Sequence, residues 1–142
     1  MTMLDDDMRL GRQVVAEGKL EPLRKKLGLT RSAMAELLYT TGITYKTWEV
    51  NTKTLLWPET AGRIGRFYRN ATQTLELWGE DVKGYVPLYS AATMMGMPLE
   101  TLMGWYRDGH FEATDLGILG LWVKKTTLKS LRSDRAAVRR LV

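Results

Sequence analysis

Residues 29–51 read "LTRSAMAELLYTTGITYKTWEVN", and the fold turns on where helices start and stop within them. Thr30 stands where a side-chain oxygen can cap a helix, and Ala33, Met34, Leu37 and Leu38 then recur at three- and four-residue spacing. After "YTTG", Thr44 is placed to cap another short helix running through Trp48. Just upstream, Leu23 and Leu27 share a helical face that Gly28 ends. The pattern predicts three short helices in about thirty residues, a helix-turn-helix layout.

Toward the carboxy terminus, "WPETAGRIGRFYRNATQTLELWGED" (57–81) opens with Pro58 at a first helical position and Glu59 in the first turn. Ala61, Ile64, Phe67 or Tyr68, Ala71, Leu75 and Trp78 repeat at helical spacing. One helix of roughly 30 Å is therefore expected from about Pro58 to Trp78, with Gly79 to Gly84 marking a boundary. Toward the amino terminus, "LDDDMRLGRQVVAEGK" (4–19) predicts a helix from about Asp7 to Glu17. Asp5 to Asp7 complement the positive end of its dipole and Gly18 stops it. The alternative is a flexible arm whose Arg9 and Arg12 enter a minor groove. The expected division is 1–19 as a helix or arm, 20–79 as a helix-turn-helix domain with its long connecting helix, and 80–142 as a winged helix-turn-helix domain.

The last of these rests on "SAATMMGMPLETLMGWYRDG" (90–109). Two helices crossing at a steep angle need a small residue at the close approach and a turn residue able to adopt left-handed backbone. Ala92 and Gly96 supply them. Met95, Met97, Leu102 and Trp105 are then expected inside, with Leu99, Glu100, Met103 and Gly104 on the outer face of the second helix. "DGHFEATDLGILGLWVKK" (108–125) predicts a β-hairpin from stretches near Phe111 to Thr114 and Leu121 to Lys124, followed by a helix from about Thr126 to Leu131 and a further one through Leu141. The fold class is mainly α: two small helix-turn-helix domains joined by a long helix, the second carrying a two-stranded wing.

Composition limits the chemistry. In 142 residues there is no cysteine, so disulfides, thiolate metal sites and thiol nucleophiles are excluded. The one histidine, His110, lacks the companions that a zinc site or a Ser-His-Asp arrangement needs. No phosphate-cradling glycine loop is present either. We therefore expect no enzyme, no catalytic residue, no metal and no cofactor. No apolar run approaches the roughly 18–20 residues that span a bilayer, and the acidic amino-terminal stretch is unlike a secretion signal. The expected location is cytoplasmic, associated with a bacterial nucleoid. A formal net charge of +5 favours polyanions without being histone-like. Residues 1–19 hold 3 basic and 4 acidic side chains, 20–79 hold 9 and 5, and 80–142 hold 9 and 7, so the basic excess sits in the two larger portions.

Residues 20–78 resemble the helix-turn-helix of phage repressors of the Cro and C1 type, with Ala35, Leu38, Ile43 and Trp48 in the core roles. Departures are Tyr39 to Gly42 where the family has a single turn glycine, and Asn51 where an apolar residue is usual. Residues 86–131 resemble the winged helix-turn-helix of phage excisionases and of the amino-terminal domain of MerR-type regulators. Arg107 and Gly109 match the end of its recognition helix, and Leu128 and Leu131 match the last helix. Leu99 and Gly104 stand where that family carries polar or basic residues, and the wing tip "LGILG" has no positive charge. The overall plan is similar to the immunity repressors of temperate mycobacteriophages. That resemblance implies silencing of lytic genes in a lysogen by operator binding.

Docked as those families dock, Thr30, Arg31 and Ser32 lie at a helix amino terminus facing phosphate. Thr44, Tyr45, Lys46, Thr47 and Glu49 lie on the exposed side of the next helix. Lys46 is matched to guanine O6 and N7, Glu49 to cytosine N4, and Tyr45 to a thymine methyl or a phosphate. Asn51 and Lys53 continue toward phosphates. In the second unit the expected contacts are Leu99, Glu100, Met103, Arg107, Lys124 and Lys125, with Lys129 beside them. Arg63, Arg66, Asn70 and Gln73 on the long helix are further phosphate candidates or plain solvated side chains, and Arg132, Arg135, Arg139 and Arg140 make the last helix basic. The expected partner is double-stranded DNA, bound as a monomer on an asymmetric site, because no third domain is left over to dimerise. Two alternatives stay open: an excisionase-like DNA-bending factor, and an antitoxin or adaptor holding a protein through the apolar wing "LGILGLW".

Overall fold

The structure is a computed structural model and describes residues 3–141; side chains at 3, 4, 80, 81, 118 and 134–141 lie outside the description. The chain divides into two compact units, residues 1–79 and 80–142. It is mainly helical with one small antiparallel sheet.

The first unit holds five helices: α1 (Met3–Ala16), α2 (Leu20–Leu27), α3 (Arg31–Leu37), α4 (Gly42–Val50) and α5 (Pro58–Trp78). Helix α1 starts four residues earlier than the sequence predicts and is no loose arm, because it packs along α5. Gly11 and Gly65 make that packing possible. A methyl added at Gly11 would run into the Ala61 carbonyl, and one at Gly65 into the Asp7 carbonyl. The backbones therefore touch where both helices lack a side chain. Beside this contact Asp7 is buried and pairs with Arg69, so Arg69 carries the charge that lets a carboxylate enter the interface.

Helices α2 and α3 follow their sequence signals. Gly28 closes α2 at φ 69°, and the Thr30 hydroxyl accepts from the Ala33 N–H at 3.2 Å to cap α3. Leu20, Leu23, Leu27, Met34 and Leu38 are buried with Ile64 and Phe67 of α5. The start of α4 differs from expectation. Its cap is Thr41, whose hydroxyl accepts from the Thr44 N–H at 3.2 Å. The α3–α4 turn passes through Tyr39, the one non-glycine residue with positive φ among those described, at 55°. Arg63 holds the turn by donating to the carbonyls of Leu38 at 3.1 Å and Tyr39 at 3.3 Å.

The second unit holds β1 (Tyr85–Pro87), α6 (Leu88–Met95), α7 (Leu99–Arg107), β2 (Thr114–Asp115), β3 (Leu121–Lys124) and α8 (Lys125–Leu141). The wing has three strands in the order β1-β3-β2, with Val86 opposite Val123 and Thr114 opposite Trp122. Strand β1 escapes sequence reading because three residues are too few for alternation to register. The two expected terminal helices are one. Gly96 makes the α6–α7 turn at φ 64°, with Ala92 buried beside it. Val86, Leu88, Ala91, Met95, Leu102, Phe111, Val123, Leu128 and Leu131 form the core.

Candidate nucleic-acid interface

Helix α4 presents two stripes at helical spacing. Tyr45, Trp48 and Glu49 face inward and are buried; Ile43, Lys46, Thr47 and Val50 face outward. This corrects the sequence reading on three side chains. Tyr45 and Glu49, expected at the groove, are inside, and Ile43, expected in the core, is 83% exposed. Packing decides the face: the ring of Tyr45 fills the core edge-on to Trp48, with centroids 6.2 Å apart.

Glu49 is tolerated inside because two arginines meet it. Arg24 Nε donates to one carboxylate oxygen at 2.7 Å and Arg24 Nη2 to the other at 3.3 Å, while Arg31 Nε donates at 3.0 Å. The Glu49 side chain is fully enclosed, that of Arg24 nearly so, and Arg31 remains 38% exposed. Burial pushes the Glu49 carboxyl up, but the groups facing it outweigh that and hold it below its ordinary value, Arg24 first, then the Tyr45 hydroxyl and Arg31. Arg24 also donates to the Leu29 carbonyl at 3.1 Å. One carboxylate of α4 is thus tied to α2, to the α2–α3 connection and to the first turn of α3. The Tyr45 hydroxyl faces the same carboxylate without reaching hydrogen-bond geometry. Burial, with the carboxylate's charge added, raises its phenol strongly.

Around the outer stripe the structure leaves Thr30, Ser32, Thr44, Lys46, Thr47, Asn51 and Lys53 exposed. Ser32 lies beside Gly42, so the first turns of α3 and α4 are neighbours. Arg31 stands at the same end and carries its charge there while bound to Glu49. Asn51 Oδ1 accepts from the Lys53 N–H at 3.1 Å, fixing the chain as it leaves α4. The phosphate candidates on α5 are partly used in the fold: Arg63 on the turn, and Asn70 donating to the Arg66 carbonyl at 2.8 Å. Arg66 and Gln73 are exposed.

In the second unit, Leu99 and Met103 pack against the core instead of standing free on α7, alongside Met97, Trp105 and Tyr106. The reason is spacing. Leu99, Leu102, Met103 and Tyr106 form a continuous apolar band wider than the inward set read from the sequence. Glu100, Thr101, Arg107 and Asp108 are the exposed residues of α7 and its end, two acids against one base. Lys124, Lys125 and Lys129 are exposed together at the β3–α8 junction. Arg132 donates to the Met94 carbonyl; the side chains of Arg135, Arg139 and Arg140 fall outside the described residues. Part of the apolar wing is folded inward. Leu119 and Trp122 are wholly buried, and the Trp122 indole donates to the Leu119 carbonyl at 2.8 Å.

Sequence reasoning missed Ile43 and Val50 as surface residues and Arg24 as the partner of Glu49. The first has a partial signal: 43, 46, 47, 50 and 45, 48, 49 are both helical stripes, and tertiary packing decides which goes inside. The second has none, since 25 positions separate Arg24 from Glu49.

Comparison of the chain with protein-family models, curated proteins and solved structures finds no match.

Proposed function

We propose that the chain is a sequence-specific double-stranded DNA-binding transcriptional repressor of the phage-immunity type, acting as a monomer on an asymmetric operator in the bacterial cytoplasm. The observation that carries this reading is α4. It is a capped helix with its only carboxylate locked inside by Arg24 and Arg31, so the outer stripe offers Lys46 and no acid. The major groove admits one such helix, and phosphates reward a face free of negative charge. Thr30, Arg31 and Ser32 beside the start of α4, and Lys53 beyond its end, supply flanking backbone contacts. Lys124, Lys125 and Lys129 give the second unit a basic edge suited to phosphate more than to bases.

No helix among the described residues is long and apolar enough to cross a membrane. Within the wing on which the adaptor alternative rests, Leu119 and Trp122 are buried, while Leu116 and Leu121 are half-buried. Selection of bound sequences from random duplexes, followed by the ratio of protein to duplex in the complex, tests the proposal. An asymmetric consensus with one chain per duplex is expected. A palindrome holding two chains overturns the monomer, and no selected sequence overturns the function.

A further inference from the structure

The outward stripe of α4 is unusual for a surface exposed to water. Ile43 and Val50 are 83% and 65% exposed, and with Lys46 and Thr47 they complete an i, i+3, i+4, i+7 pattern along one face. The hydroxyls on this side are partly engaged. Thr47 donates to the Ile43 carbonyl at 3.1 Å, and the Thr44 oxygen accepts from the Thr41 hydroxyl at 3.0 Å. What the stripe offers a ligand is one ammonium group, the acceptor capacity of Thr47, the donor of Thr44 and a row of methyls. From 43 to 50 the stripe covers roughly 10 Å of helix, or about three base-pair steps at 3.4 Å each.

We propose that this stripe reads thymine through its 5-methyl group, so that the part of the operator facing α4 is defined by thymines more than by hydrogen-bonded guanine or adenine; the inference rests on the DNA-binding reading above. The 5-methyl is the apolar group that base edges show in the major groove. Packed against Ile43, Val50 and the threonine methyls, it leaves water at a gain. A guanine O6 or cytosine N4 pressed against Ile43 or Val50, away from Lys46, loses its hydration and finds no partner there. Discrimination therefore has both an attractive and a repulsive component. Lys46 sits within the stripe to reach one acceptor or a phosphate.

The test takes the duplex selected from random sequence and replaces each thymine in turn with deoxyuridine, which removes only the methyl. A loss of about fourfold per contacted methyl is expected, at one to three positions. Ile43→Ala, at a position exposed enough to leave the circular dichroism unchanged, is expected to cancel the loss at one of them, and Val50→Ala at another. Sequence-specific binding with no deoxyuridine effect overturns the methyl reading and leaves the DNA-binding one standing. Deoxyuridine losses that persist in both variants overturn the role of the stripe. Failure to select any duplex overturns both readings. Self-association abolished by Ile43→Asp, with duplex affinity unchanged, assigns the stripe to protein contact and overturns the proposal.

Discussion

Helices α4 and α7 occupy equivalent places, each the second helix of a tight helical turn, and they are fixed by opposite means. Helix α4 is anchored by a buried carboxylate held between two arginines and turns aliphatic side chains outward. Helix α7 is anchored by Leu102 with Leu99 and Met103 packed beside it, and turns charge of both signs outward. Both carboxylates classed as buried among the described residues, Asp7 and Glu49, belong to the first unit. A buried ion network specifies one position and fails abruptly when a member is removed; an apolar face tolerates adjustment. The helix locked by charge is the one to which base reading is assigned in the proposal.

That contrast gives its largest effect with Glu49→Ala. Removing the carboxylate leaves Arg24 nearly enclosed with the Leu29 carbonyl but no counter-charge, and breaking such a pair costs about 3–5 kcal/mol, read as a lower denaturation midpoint. Leu102→Ala in α7 costs about 2–5 kcal/mol by leaving a cavity. The two are told apart by pH. Because the folded Glu49 carboxyl lies below its ordinary value, its contribution is complete above the ordinary carboxylate range and is lost as pH falls through the folded value. The gap between wild type and Glu49→Ala is expected to narrow in acid, while the gap for Leu102→Ala stays. Parallel behaviour of the two variants would show that α4 is not held by charge.

A second contrast concerns binding. Lys46→Ala removes the single cation of the α4 stripe and is expected to relax preference at one or two base pairs by about 1–3 kcal/mol. Lys124→Ala removes an exposed cation from the other unit. It is expected to weaken all sequences alike and to lower the salt slope by about 1. Equal losses on selected and random duplexes for both variants would abolish the division of labour between the units.

Most of the architecture is legible in local signals, because caps and turn glycines act within a few residues. Thr30, Gly28, Pro58 and Gly96 each stand where the structure uses them. The candidate site is legible only in part. Thr41 and Thr44 are both competent caps, and which face of α4 turns inward is set by packing with α2 and α3, which lie outside the local signal. Residue type misleads here as well: a glutamate reads as surface until Arg24 and Arg31 are seen to converge on it, and an isoleucine reads as core until the tyrosine two positions on has taken the space. In α7 the error runs the other way. Leu99 and Met103 are apolar as they read, but the inward band is broader than a two-residue seam and takes them in.

The same two turns supply the smallest effect. In each, the first helix closes with paired bonds: Tyr39 N–H to the Glu36 carbonyl at 3.2 Å and Thr40 N–H to Ala35 at 3.0 Å in one, Gly96 N–H to Thr93 and Met97 N–H to Ala92, both at 3.1 Å, in the other. The pattern needs a left-handed residue. Glycine provides it at position 96, and tyrosine is forced into it at position 39. Left-handed backbone costs an L-residue about 1–2 kcal/mol, and glycine returns about 0.5–1 kcal/mol of that through its freer unfolded chain. The Tyr39 ring is 84% exposed, so little packing is lost with it. Tyr39→Gly is therefore expected to raise stability by up to about 1 kcal/mol, measured by chemical denaturation, and to make the first turn chemically like the second. A clear loss of stability instead would mean that the ring, not the backbone, sets the angle between α3 and α4, and that the two turns are alike only in their hydrogen bonds.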